Sequence, residues 1–412
     1  MCCKHYTRRC AVALIVALAH NALAHTARHG PRAAVGRRAL AVAPAALAAP
    51  AALVAPASAA LPSVVLPLTP VRGGLAASYV VDGEPFVGVV DTGSPFLLVD
   101  GTCGEVSRGR WGCYPRLARP GPQGSLNDAS IEGFGGQETL VEWRRGRVEL
   151  GGSSTLKLEP AVFGVVRSLQ RRGGEAAIYL GLIKHRQPII RPTFLEQCDA
   201  RALRVDLRYP DARTLEVSTR RDFVSPDADA VPLVDLRRLG APVEPYAGVV
   251  RSVVVNGETV RLKRPAVAVI DTGTTGLTIS DSLLGDGFGG TDELPLPGAA
   301  IRHVDVELET ESGASVTLGA DARVGAEFPL VVTPQRLPWF DEDFFGKRGR
   351  GGSDTWKTPP HVLFLGLSFL ENRRLTIDVE ARRIQVETAP RLPPRPEAKP
   401  FRGRSMYADV AG

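Results

Sequence analysis

From Leu61 onward the chain is written in short apolar runs, broken every few residues by Gly, Pro, Asp or Asn. Runs of this length, rich in Val, Leu and Ile and bounded by turn formers, predict strands. They fall at Val64–Leu66, Ser78–Val81, Val87–Val90, Leu97–Val99, Val148–Leu150, Val162–Val166, Val231–Val234, Val249–Val255 and Val267–Ile270. Helical periodicity is scarce: one stretch is predicted at Pro192–Ala202 and a single turn at Asp281–Leu284. The pattern therefore predicts an all-β fold with short helices. Asp341–Pro360 is Gly- and charge-rich and reads as a surface insertion, and 388–412, rich in Pro and Arg, as a disordered tail.

One pattern occurs twice. Pro85–Val99 reads PFVGVVDTGSPFLLV and Pro265–Ile279 reads PAVAVIDTGTTGLTI, with seven of fifteen positions identical at an offset of 180 residues. Ahead of each lies a hairpin signal, VVDGE at Val80–Glu84 and VVNGE at Val254–Glu258. Asp-Gly and Asn-Gly suit the two positive-φ positions of a type I′ turn. Behind each lies an apolar pair and a glycine, Tyr179-Leu180-Gly181 and Phe364-Leu365-Gly366. Three elements repeated in one order divide the chain into two similar halves, 61–230 with Asp91 and 231–387 with Asp271.

Composition changes the picture mainly at the N-terminus. The 412 residues carry a formal charge of +6, but residues 1–60 hold seven basic side chains and no acidic one. Beyond them the chain is close to neutral, so a nucleic-acid partner is not expected. Lys4, Arg8 and Arg9 precede the nine-residue apolar run Ala11–Ala19 and an A-x-A site at Ala22–Ala24, the layout of a signal peptide too short to span a bilayer. Arg37-Arg38 opens a second Ala/Pro stretch ending in Ala57-Ser58-Ala59. Residues 1–60 are thus read as a targeting leader to a non-cytosolic compartment. Two routes stay open: a multi-step route to a plastid thylakoid lumen, or a secretory or vacuolar one.

Cys103 and Cys113, ten residues apart, form a candidate disulfide, which leaves Cys198 as a buried thiol. Arg144-Arg145 reads as a solvated strand end. His185, His303 and His361 lack metal-ligand spacing, so no metal and no cofactor are expected.

The chemistry rests on the two Asp-Thr-Gly turns. Each Asp closes an apolar strand, Gly93 and Gly273 allow a tight turn, and Ser94 and Thr274 can donate to the neighbouring carboxylate. If Asp91 and Asp271 meet, they hold one proton between them, fit for activating a water on one side and donating to a carbonyl on the other.

On these motifs the chain resembles the pepsin-like, two-lobed aspartic proteases, over about Leu61 to Glu387. The resemblance implies a bilobal fold with pseudo-twofold lobes, Asp91 and Asp271 as the catalytic dyad, Ser94 and Thr274 as its hydroxyl partners, and Thr92 and Thr272 as the threonines locking the two loops. Leu363–Val386 is similar to the family's terminal strand-and-helix signature, with Leu367 where an Asp is usual. It also implies a flap hairpin at GFGGQETLVEW, with Phe134 and Gly135 at the tip where the family carries Tyr, while Leu98 stands in place of the family's Trp. Protein or peptide substrates, acidic working pH and a monomer without a membrane span are the corresponding expectations. The alternative is an inactive pepsin-like module that binds or inhibits other proteins.

Overall fold

The computed structural model describes residues 63–71, 73–103, 110–114, 125–134, 137–151, 155–169, 178–186, 191–220, 223–225, 227–284, 301–335, 337 and 359–389. The predicted leader (1–60), residues 341–358 of the insertion, and the tail beyond 389 lie outside them. Strands dominate and the helices are single turns, so the all-β class holds. No helix among the described residues is long and apolar enough to cross a membrane.

The chain forms two compact units that interleave in sequence. The first holds Tyr79–Val87 and Leu97–Ile178. Its frame is three long antiparallel strands, Ser125–Phe134, Gln137–Leu150 and Leu156–Leu169. Tyr79–Val81 adds to Val148–Leu150, and Leu98–Asp100 runs parallel to Gly164–Val166. Trp143, Phe86, Phe163 and Leu98 fill the core. The Cys103–Cys113 disulfide is present, with Cα atoms 5.0 Å apart. Arg144 departs from its predicted solvated place. It lies in mid-strand and buried, paired with Glu142 at 2.7 Å and stacked over Tyr114, because a planar guanidinium can leave water when a carboxylate and an aromatic face receive it.

The second unit holds Ser63–Ser78, Gly88–Phe96 and the chain from Tyr179 onward. It contains a six-stranded antiparallel sheet in the order Ser63–Pro67, Thr214–Ser218, Ala202–Asp206, Arg373–Asp378, Arg383–Thr388, Val231–Pro232. One register row runs Val64, Val217, Leu203, Ile377, Ile384, Val231, all buried. The next row sets Arg204 against Glu216 at 3.1 Å. The outer strands thus show a period-2 alternation, while in Arg373–Asp378 Thr376 and Asp378 are buried as well.

A second sheet in this unit centres on Ala266–Ile270, every residue of which is buried. That strand pairs in parallel with His361–Leu365, which pairs antiparallel with Leu277–Ile279. An AVAVI run reads as a strand covered on both faces, and it is one.

Two predicted elements also need correction. The helix expected over Pro192–Ala202 is only Phe194–Gln197. Thr193 and Glu196 cap it reciprocally, but Asp199 turns left-handed at φ 50° and Ala202 already belongs to a strand. The strand predicted at Val231–Val234 ends at Pro232.

Both hairpin turns form as expected, with φ 52° and 89° at Asp82 and Gly83 and 54° and 87° at Asn256 and Gly257. The Asn256 side chain also accepts from the Arg302 and His303 amides, at 2.7 and 3.1 Å. Asn256→Ala should therefore cost about 1–2 kcal/mol from the left-handed backbone alone and lower the melting temperature by several degrees. Asn256→Gly, which relieves the backbone but not the lost bonds, should fall between.

Candidate active site

Both Asp-Thr-Gly turns belong to the second unit. Each is placed by a parallel strand pair. Val89–Asp91 lies against Tyr179–Gly181, and Ala266–Ile270 against His361–Leu365. The glycines that end the two apolar pairs seat the turns. A Cβ at Gly181 would lie 2.5 Å from the Phe96 backbone, and one at Gly366 would lie 2.4 Å from the Thr274 carbonyl. Backbone amides finish the packing, Leu182 to Asp91 at 2.8 Å and Leu367 to Thr274 at 2.9 Å. The repeated order seen in the sequence is thus the order in which each turn is built and braced.

The threonines reach across. Thr92 N–H donates to Thr272 Oγ1 at 3.1 Å, and Thr272 N–H to Thr92 Oγ1 at 2.9 Å. Each hydroxyl then donates to the carbonyl preceding the other Asp, Thr92 to Ile270 and Thr272 to Val90, both at 2.8 Å. Four reciprocal bonds between fully buried residues fix one turn on the other.

The carboxylates are held alike. Asp91 Oδ1 accepts from Gly93 N–H at 2.7 Å and Oδ2 from Ser94 Oγ at 2.5 Å. Asp271 Oδ1 accepts from Gly273 N–H at 3.0 Å and Oδ2 from Thr274 Oγ1 at 2.8 Å. Each carboxylate also lies over the other turn's glycine. A Cβ on Gly93 would sit 2.8 Å from Asp271 Oδ1, and one on Gly273 2.4 Å from Asp91 Oδ1. All eight dyad and dyad-supporting positions predicted from the sequence come together.

Their environments differ. Asp91 is 6% exposed, whereas Asp271 is half-buried. Burial pushes the Asp91 carboxyl well above the ordinary carboxylate range. The Asp271 charge and their shared hydrogen bond add to this, against the opposing Ser94 and Gly93 donors. Two carboxylates this close keep a proton between them, and burial favours the protonated form at Asp91.

In the sequence Tyr179 stands only as half of an apolar pair. Its register opposite Val89, two residues before Gly181, puts it on the sheet face that carries Asp91. The phenol is half-buried, and burial first, then the charges of Asp91 and Asp271, hold its proton tightly. Sequence reasoning had no marker for it, since a Tyr in a Tyr-Leu-Gly run looks like any strand aromatic.

The predicted flap belongs to the first unit. Phe134 pairs with Gln137 where the hairpin narrows, and Gly135 lies outside the described residues. The hairpin is pinned from its own second strand: Trp143 Nε1 donates to Ser130 Oγ at 2.7 Å, and Ser130 Oγ donates to Glu132 at 2.6 Å. Leu98 is fully buried, and its carbonyl accepts from the Tyr79 hydroxyl. Cys198 is buried and free, and desolvation holds it as a thiol. Compared with known proteins, the chain matches no family model and no curated sequence.

Proposed function

We propose that this protein is an aspartic endopeptidase of the pepsin-like, two-lobed kind, cutting peptide bonds without metal or cofactor. The observation that carries the reading is the pair of carboxylates, each fixed by its own glycine amide and hydroxyl and fixed together by the threonine grip. In this reading the Asp271 carboxylate takes a proton from a water as it attacks the scissile carbonyl carbon. The protonated Asp91 donates to the carbonyl oxygen, giving a neutral tetrahedral diol. Collapse of the diol breaks the C–N bond: the proton gained by Asp271 goes to the leaving nitrogen, and a diol hydroxyl returns its proton to Asp91. Hydrogen bonds already in place around both carboxylates spare the reaction a reorganisation of its surroundings. Peptide substrates, a monomer and a non-cytosolic compartment reached through the leader complete the proposal.

The test is hydrolysis of a mixed peptide library between pH 3 and 8, with and without a statine peptide that mimics the diol. Because burial raises Asp91, its proton survives as the pH climbs, so activity should extend above about pH 6 before falling. Statine-sensitive cleavage with that profile is the expected result. A folded protein that cuts nothing at any pH points instead to a binding module.

A further inference from the structure

A cavity of about 430 Å³ adjoins the second Asp-Thr-Gly turn, within the same unit. Thr274, whose hydroxyl holds Asp271, forms part of its wall, so a peptide seated on the dyad has flanking side chains within reach of it. Gly73 bounds it too, tied to the next residue of the turn by a short hydrogen bond from Thr275 Oγ1 to the Gly73 carbonyl. Pro329 and the exposed side chain of Val331 give the cavity an apolar flank. Thr333 and Glu327 give it polar groups, and Glu327 is the one charged residue among those lining it.

The Glu327 carboxylate is held from behind. Arg213 donates to both its oxygens, at 2.8 and 2.6 Å, and lies over the Phe328 ring. The Arg213 side chain is 2% exposed, while Glu327 remains 38% exposed. The guanidinium takes one lone pair from each oxygen and leaves the other pair open, because a carboxylate offers about four acceptor positions. Nor is Arg213 neutralised by Glu327 alone, since Glu371 and Asp211 also act on it. The Arg213 hydrogen bonds hold the Glu327 carboxyl below its ordinary range, so the group stays ionised in acid.

We infer that this cavity is a subsite selecting a basic substrate side chain, with the aliphatic stem of Lys or Arg along Pro329 and Val331 and its cationic head on Glu327. The inference rests on the endopeptidase reading and deepens it by naming a substrate class. A long basic side chain fits both halves of the site: its methylenes cover apolar surface and its head donates. An apolar residue of equal length leaves the carboxylate's open lone pairs unanswered, and an acidic one meets like charge.

The experiment uses the full chain and fluorogenic peptides in which Lys, norleucine or Glu is walked through each position flanking one cleaved bond, at pH 5. At one position Lys should exceed norleucine by about tenfold or more in kcat/KM. That ratio should fall towards one in Glu327→Gln, which keeps an acceptor for Arg213. In Thr333→Lys, which plants a cation at an exposed position of the cavity wall, the ratio should fall and Glu should gain. Melting curves confirm that each variant is folded. The inference is overturned if no position favours Lys, or if the ratio is the same in wild type and both variants. Should the wild type cut nothing, the endopeptidase reading fails by itself, and calorimetry with reduced-amide Lys and norleucine peptides decides the subsite. A Kd preference for Lys that vanishes in Glu327→Gln upholds it, whereas equal binding or none overturns it.

Discussion

Asp91→Asn is expected to cut peptide hydrolysis by about 10⁴-fold and, at pH 8, to melt at a higher temperature than the wild type. The first effect follows from the proton. Asn cannot deliver one to a carbonyl oxygen and take it back, although it is nearly the same shape and can still accept from Gly93. The second follows from burial. Desolvation, joined by the Asp271 charge, raises the folded-state pKa of Asp91 above its unfolded value. The folded chain thus binds more protons than the unfolded one between those two values. Asp91's contribution to stability is complete below the unfolded pKa, near 4, and is lost as pH rises through the folded one. Asn does not titrate and loses nothing over that window. The difference in melting temperature, variant minus wild type, should be several degrees at pH 8 and shrink steadily towards pH 4. A difference that does not change with pH would mean that the Asp91 proton is not held as described.

Thr272→Val is expected to be the most damaging conservative change near the dyad. Valine matches threonine in shape but removes the hydroxyl that donates to the Val90 carbonyl and accepts from the Thr92 amide. Both orphaned groups are buried, and each costs about 1–3 kcal/mol. A fall in melting temperature of about 10 °C, read by calorimetry, and a loss of hydrolysis as the carboxylates slacken are the expected results. Thr272→Ser keeps the hydroxyl and should lose far less. The double variant Thr92→Val/Thr272→Val should cost less than the sum of the singles, because the four bonds form one network. Full additivity would mean that the two threonines act separately.

What could be read from the sequence was what local chain chemistry or repetition writes down. Asp-Gly and Asn-Gly announce positive φ, and both turns formed. The AVAVI run before Asp271 has no polar position, and both its faces are covered. Residues 180 apart could be placed together only because their surroundings repeat. Distant pairings without a repeat left no trace. Arg213 and Glu327 are 114 positions apart in unrelated loops, and nothing local marks either as a partner. The doubled arginine at Arg144 has the local look of a solvated strand end, and nothing in the sequence marks Glu142 and the Tyr114 ring as the partners that let it leave water. Strands such as Ala202–Asp206 alternate plainly, but Arg and Asp at every second position masked their β character. The helix at Pro192 was overextended because its start signals are strong, while its stop is a left-handed aspartate rather than a glycine.

The braces of the two turns also set an order in time. Thr92, beside Asp91, emerges early during synthesis, but its partner Thr272 follows 180 residues later, and Leu365 and Gly366, which seat Asp271, later still. Contacts this distant in sequence close last and slowly. A chain still being made therefore carries both Asp-Thr-Gly sequences without the paired carboxylates that the proposed reaction needs. The paired arrangement exists only once the chain has been made through Gly366.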